Sequence, residues 1–212
     1  MKDLLRVSGI QSPYQGLMQF ISNIVPRHCL FCLEKTQTNT DLCHHCISAL
    51  NLNQQCCQRC ALPMDNNIEQ AILLCGNCLS HHYYFDRVYS PYLYSQEISY
   101  LIRKLKYQRK IHYANVLSEL FIQKTAEFAD FQQPEALVPM PMHNKRLRQR
   151  GYNQALELGR VLSSHYRLPL QYKELVRSRY TQLQADLGAT ERQKNVRKAF
   201  ELKKPLGYEH IA

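Results

Sequence analysis

Four Cys-x-x-Cys pairs fall within the first 78 residues of this 212-residue chain: Cys29/Cys32, Cys43/Cys46, Cys57/Cys60 and Cys75/Cys78. Eight of the nine cysteines are used in this way. Two residues between paired cysteines let one tight turn aim both sulfurs at the same ion, and four thiolates complete a tetrahedral Zn2+ site. Ten residues separate the first pair from the second, and fourteen the third from the fourth, so each half closes a compact loop. With all four positions filled by protein, such zinc is structural, and its binding free energy is folding free energy. Sequential pairing puts Cys29, Cys32, Cys43 and Cys46 on one ion and Cys57, Cys60, Cys75 and Cys78 on the other. An interleaved cross-brace has the same signature; the sequential arrangement has the shorter loops and is favoured. Cys56 reads as a spectator beside a ligand, and His28, His44, His45, His81 and His82 as solvated or outer-shell groups. A redox role suits one such pair better than four in so short a stretch.

The second chemically loaded stretch is residues 139–154. Paired prolines end a strand, and Lys145, Arg146, Arg148 and Arg150 follow within six positions. Gly151 permits a backbone turn, and a helix opens near Asn153. Guanidinium groups around exposed amides suit a phosphate or pyrophosphate, and ligands of α/β folds sit at strand carboxyl ends. The bland alternative is a solvated basic loop. Basic residues also cluster at 103–110 and 192–198. The formal charge is +10; eight thiolates (−8) on two zinc ions (+4) leave +6. An acidic partner such as nucleic acid or a phosphorylated ligand fits that balance, and so does a basic soluble protein with no such partner. Of the 14 tyrosines, Tyr83, Tyr84, Tyr92, Tyr94, Tyr107, Tyr113 and Tyr152 are candidates for base stacking or for core and rim positions.

The elements that must position these groups divide the chain into residues 1–26, 27–86 and 87–212. Leu17, Phe20, Ile21 and Ile24 give an amphipathic helix ended by Pro26. Gln15, Gln19, Ser22 and Asn23 interrupt any secretion-signal core, and no apolar stretch is long enough to span a membrane. With zinc-like cysteine spacing, this predicts a cytoplasmic protein. Residues 87–94 (RVYSPYLY) read as a strand broken by Pro91, and Ser95 as the cap of a helix with Ile98, Leu101, Ile102 and Leu105 inward. A second helix covers about 112–128 with Ala114, Leu117, Phe121 and Phe128 inward. Residues 136–141 are a short apolar strand, and 143–151 a basic loop. Residues 153–166 form a helix with Ala155, Leu158, Leu162 and His165 on one face, and 170–175 a strand. Thr190 with Gln193 reads as a capping box, and residues 201–212 turn at Pro205-Leu206-Gly207 into a last strand. Alternating strands and helices predict an α/β sheet, at least partly parallel.

Taken in order, the cysteine pairs, LIRKLKY (101–107), VPMPMHNKRLRQRGYNQ (138–154) and R-x-R-x-T-x-x-Q-x-x-L-x4-R-x-x-N-V (177–196) resemble the ComF/ComFC competence proteins, also called the GntX group. The resemblance runs from about residue 17 to 212. It implies a type I phosphoribosyltransferase-like domain behind a zinc finger, and a role in natural transformation, where single-stranded DNA enters the cytoplasm. It places Lys106 near the phosphate site, Pro139 to Arg150 in the pyrophosphate-side loop, and Asn153 and Gln154 at the start of the next helix. Arg177, Thr181, Gln184, Arg192 and Asn195 match the family's flexible-loop region.

In that family the final strand leads into two acidic residues and a Thr-Thr-Gly-type loop that cradles phosphoribosyl pyrophosphate. Here the sequence reaches Glu209-His-Ile-Ala212 where that strand begins, and Asp65, Asp86, Asp130 and Asp186 lie in other contexts. The resemblance therefore implies an incomplete transferase domain over 87–212 and no phosphoribosyl transfer by this polypeptide; phosphoribosyl pyrophosphate and Mg2+ would need the missing loop. Single-stranded DNA is the expected partner. The alternatives are a phosphoribosyltransferase and a zinc adaptor for a competence helicase.

Overall fold

The two cysteine loops fold as near copies of one another. The computed structural model describes residues 27–36, 38, 40–64, 74–128, 131–182 and 187–212. The helix expected over 1–26, and Gln184, lie outside the described residues. In the first loop the Cys29 N–H donates to Glu34 O (2.8 Å), and Leu33 takes a left-handed φ of 63°. In the second, the Cys57 N–H donates to Leu62 O (2.9 Å), and Ala61 takes φ 57°. Each turn is closed by one antiparallel bridge, His28 with Lys35 and Cys56 with Pro63. Each second pair then opens a short helix: Cys43 caps α1 (His44–Ser48), and Cys75 caps α2 (Gly76–Ser80). The chain divides into two compact units, Met1–Ala49 and Leu50–Ala212, so the first loop belongs to one and the second to the other.

Within the second unit, residues 87–94 do not form the expected strand. Pro91 lacks a donor, and the segment keeps one antiparallel bridge, Leu52 with Tyr92, flanked by Asn53 N–H to Pro91 O and Leu93 N–H to Asn51 O (both 2.9 Å). Ser95 caps α3 (Gln96–Tyr107), although its hydroxyl binds the Glu97 carboxylate (2.6 Å) rather than the backbone. The expected stripe is the buried one: Ile98, Leu101 and Leu105 face inward, with Ile102 half-buried. Helix α4 (Tyr113–Thr125) packs between α3 and α6 (Gln154–Tyr166). Serving two neighbours, it buries Tyr113, Val116, Ser118, Leu120 and Thr125 along with Ala114, a wider face than the sequence suggests. Ser118 Oγ donates to Leu158 O (3.4 Å), and the Thr125 and Tyr166 hydroxyls meet at 2.7 Å, tying α4 to α6.

The segment at Ala136–Leu137 is the centre of parallel pairing on both sides, with Leu170 and with Ile211. Leu137 N–H donates to Pro169 O (2.9 Å) and Val138 N–H to Ala212 O (2.6 Å). Helix α6 lies so close to this layer that a Cβ on Gly159 would stand 3.0 Å from Leu170 Cδ1 and 3.1 Å from Pro139 Cγ. The one sheet with regular strands among the described residues is antiparallel: β1 (Leu175–Arg177) with β2 (Phe200–Leu202), Val176 opposite Glu201. The expected basic loop over 143–151 is helix α5 (Asn144–Arg150), capped by His143 and ended by Gly151 at φ 91°. Its residues are good helix formers and the glycine supplies the left-handed stop, signals outweighed in the sequence by the flanking prolines. Helix α7 (Ala189–Val196) opens at Gly188, whose N–H donates to the Glu191 carboxylate (3.1 Å), so the box is shifted by two residues from Thr190 and Gln193.

Candidate metal centres and a basic cluster

The knuckle turns and short helices bring the cysteines together in two groups of four, Cys29, Cys32, Cys43, Cys46 and Cys57, Cys60, Cys75, Cys78, each with all sulfurs within 4.8 Å of one another. Pairing is therefore sequential. A tetrahedron with Zn–S bonds of about 2.3 Å has sulfur–sulfur edges of about 3.8 Å. Cys32 and Cys43 stand 3.6 Å apart and Cys60 and Cys75 3.7 Å, so the donor set matches Zn2+ in number, type and spacing. The flanking histidines are not among the four-donor groups.

The thiols within each group are unequal. Burial pushes Cys29 up, but hydrogen bonds from the backbone of Cys32, Cys43 and Phe31 outweigh it and bring the thiol down to about 6. Cys57 behaves likewise: burial opposes and the backbone of Cys60, Cys75 and Arg59 prevails, again to about 6. Burial and neighbouring sulfurs push Cys46 up, and Cys78 up to about 12. Each site thus holds one favoured thiolate beside a thiol whose proton a metal must displace.

Cations gather around α5. Arg146 Nη2 donates to Thr181 O (3.1 Å), and Arg177 on β1 donates to the Thr181 hydroxyl. Tyr180 collects Lys145 Nζ (4.9 Å from the ring centroid), the Arg146 guanidinium (5.7 Å) and the His143 ring (5.3 Å). Arg179 Nη2 donates to Asn195 O and Arg197 O, and Asn195 Nδ2 to Gln182 O. One turn along α5, Arg150 Nη1 donates to Gln154 Oε1 (3.0 Å) and lies over the Tyr107 ring (5.6 Å). Burial first, then the Arg146 and Arg179 charges, hold Arg177 below the ordinary guanidinium value. The ion pairs among the described residues, Lys124–Glu127 and Arg160–Glu157, involve none of these cations. Two buried donors, Arg177 Nε and Gln154 Nε2, have no hydrogen-bond partner among the described residues.

The structure thus joins Lys145, Arg146, Arg150, Gln154, Arg177 and Asn195 in one neighbourhood. Asn153 holds the turn beside it, donating to Met140 O and accepting from the Ala155 N–H. Arg148 is exposed on α5, Arg192 lies on α7, and Lys106 is exposed at the end of α3 beside Tyr107. The sequence reading did not single out Tyr180, and it carried His143 and Arg179 only inside longer motifs, with no role of their own.

Two tetrathiolate sites on knuckle turns define a double zinc ribbon module, and the double zinc ribbon domain family matches residues 20–79. Zn2+ is the metal that this domain and the two clusters support. The chain is similar to proteins named DNA utilization protein YhgH and Competence protein F. It is 28% identical to YhgH of Escherichia coli (strain K12) over 191 residues, 88% of this chain and 82% of that protein. It is 27% identical to YhgH of Salmonella typhimurium over the same length. It is 30% identical to Competence protein F of Haemophilus influenzae over 144 residues, 65% of this chain and 63% of that protein. No solved structure matches the chain significantly. Among the described residues no helix is long and apolar enough to cross a membrane.

Proposed function

We propose that this protein handles single-stranded DNA on the cytoplasmic side of a competence-type uptake system. The phosphodiester backbone runs along α5, and the eight clustered cysteines hold two structural zinc ions. The observation that carries the reading is the Arg146–Arg150–Arg177 neighbourhood. Guanidinium groups crowd together with no carboxylate pairing among the described residues. An acceptor-rich polyanion supplies what that arrangement lacks. Homologues whose names refer to competence and DNA utilization support the same direction. The test is filter binding of oligo(dT) against salt. Arg146→Glu with Arg150→Glu should weaken retention and flatten the salt slope by ~0.7 for each phosphate no longer neutralised. Undiminished retention by that variant would refute the assignment.

A second reading is a phosphoribosyltransferase-like body over 87–212 that takes a phosphoribosyl ligand. Its support is the parallel pairing of Ala136–Leu137 on both sides, with the basic helix following the strand's carboxyl end. Calorimetry with phosphoribosyl pyrophosphate and Mg2+ separates the two readings, since oligo(dT) binding without any heat from that ligand leaves only the first.

A further inference from the structure

Directly after α2 the chain presents five consecutive ring-bearing residues, His81-His82-Tyr83-Tyr84-Phe85, all exposed. Their rings fall in two files. In one, His81 and Tyr83 have centroids 6.4 Å apart, and Tyr83 and Phe85 5.2 Å apart with planes inclined by 31°. In the other, His82 and Tyr84 are 5.9 Å apart at 78°. Tyr84 is 103% exposed, the largest value among the exposed large apolar side chains of the described residues. The run is anchored at both ends by the second zinc loop. The Ser80 hydroxyl and His81 Nδ1 meet at 2.9 Å at its root. Beyond it, Val88 N–H donates to Arg59 O (2.8 Å), while Arg59 Nη1 donates to Cys78 O (3.4 Å).

Rings held in water on a fixed support mark a contact surface, because an apolar face that size gains by being covered. Alternate residues of an extended chain repeat at about 6.6 Å, a spacing that presents ring faces one after another. A lipid surface would call for a long aliphatic stripe and a basic face; here only Leu79 and Val88 flank the rings as exposed aliphatic side chains, and Asp86 offsets Arg87. The His81–Tyr83–Phe85 file, with planes inclined by 41° and 31°, and the fully exposed Tyr84 ring offer aromatic faces that suit unpaired nucleobases, which every sequence of single strand offers. We infer that residues 81–85 are a base-stacking platform for single-stranded DNA, with the strand's phosphates held elsewhere on this basic chain. This rests on the DNA-handling reading and adds a second contact on the zinc ribbon.

The chain has no tryptophan, so Tyr84→Trp creates a single reporter in the zinc-loaded protein. Oligo(dT) should quench its emission, whereas heparin, a polyanion without bases, should leave it unchanged. Tyr84→Phe should bind oligo(dT) like the parent, and Tyr84→Ala at least fivefold more weakly with its zinc content intact. Oligo(dT) binding with a silent Trp reporter, or equal response to heparin, overturns the platform and leaves the α5 reading standing. No oligo(dT) binding by the parent overturns both.

Discussion

Paired cysteine substitutions should read the zinc arrangement directly. If Cys29, Cys32, Cys43 and Cys46 share one ion, then Cys29→Ser with Cys43→Ser removes one zinc, while Cys29→Ser with Cys57→Ser removes both. A cross-brace gives the opposite pattern. The two losses should differ in their effect on the body. The second loop is bonded to the segment that leads into α3: Asn53 N–H to Pro91 O, Leu93 N–H to Asn51 O, Asn53 Nδ2 to Ser90 O, and Val88 N–H to Arg59 O. Four hydrogen bonds at about 1 kcal/mol each give about 4 kcal/mol. At about 2–4 °C per kcal/mol for a protein of this size, Cys57→Ser should lower the melting temperature of the helical body by about 8–16 °C. Cys29→Ser, in the other compact unit, should leave that transition near its parental value. Native mass spectrometry counts the zinc and calorimetry follows the transition. One zinc lost from the Cys29/Cys57 pair, or equal destabilisation by both single variants, would refute the reasoning.

Metal loading at pH 7 should release at least two protons per zinc, because Cys32 and Cys46 in one site and Cys60 and Cys78 in the other are raised thiols; calorimetry in buffers of different ionisation enthalpy measures this. Zinc retention should therefore fall as pH drops from 7, and more steeply below about 6, where Cys29 and Cys57 also take up protons, as a chelator competition titration would show. Gly159→Ala should destabilise by about 1–3 kcal/mol in urea unfolding, since its Cβ would press on Leu170 and Pro139. Leu33→Gly should raise stability by about 1 kcal/mol, because the exposed Leu33 holds φ 63° at a turn where a side chain is strained and little burial is lost.

Local chemistry made much of this legible in the sequence. The spacing of the cysteines is itself the geometry of the turn, so the metal groups followed from it. Their pairing did not, because loop lengths favour one arrangement without excluding the other. The Ile98–Leu101–Leu105 face was readable because α3 has one packing partner side to satisfy. Helix α4 was less so: with α3 and α6 on two sides, Val116, Ser118 and Leu120 are buried outside the expected stripe. Helix α5 read as a loop because seven residues are too few to show a period, and it forms through its His143 and Gly151 ends. The basic residues were visible as a cluster, but not their meeting with Arg177 and Thr181, which lie 31 and 35 positions beyond Arg146. The tyrosines were visible as candidates, yet only packing separates exposed Tyr84 from Tyr113 and Tyr152, which are buried.

The polarity of what is left unsatisfied around α5 bears on the proposed anionic partner. A buried N–H without a partner costs about 1–3 kcal/mol, so folded proteins rarely keep one without compensation. Here Arg177 Nε and Gln154 Nε2 are both donors, and Arg146 and Arg150, one helical turn apart on α5, touch their surroundings directly: Arg146 shares Thr181 with Arg177, and Arg150 grips Gln154. Like-charge repulsion adds to the cost, since Arg146 and Arg179 both disfavour the Arg177 cation. The third unpartnered atom, Asn53 Oδ1, is an acceptor beside the second zinc loop, so no general shortage of hydrogen bonds explains the pair. On the proposed reading, an anion held by the exposed parts of the α5 cations would relieve the repulsion among Arg146, Arg177 and Arg179, which a neutral ligand or a cationic partner surface would not do.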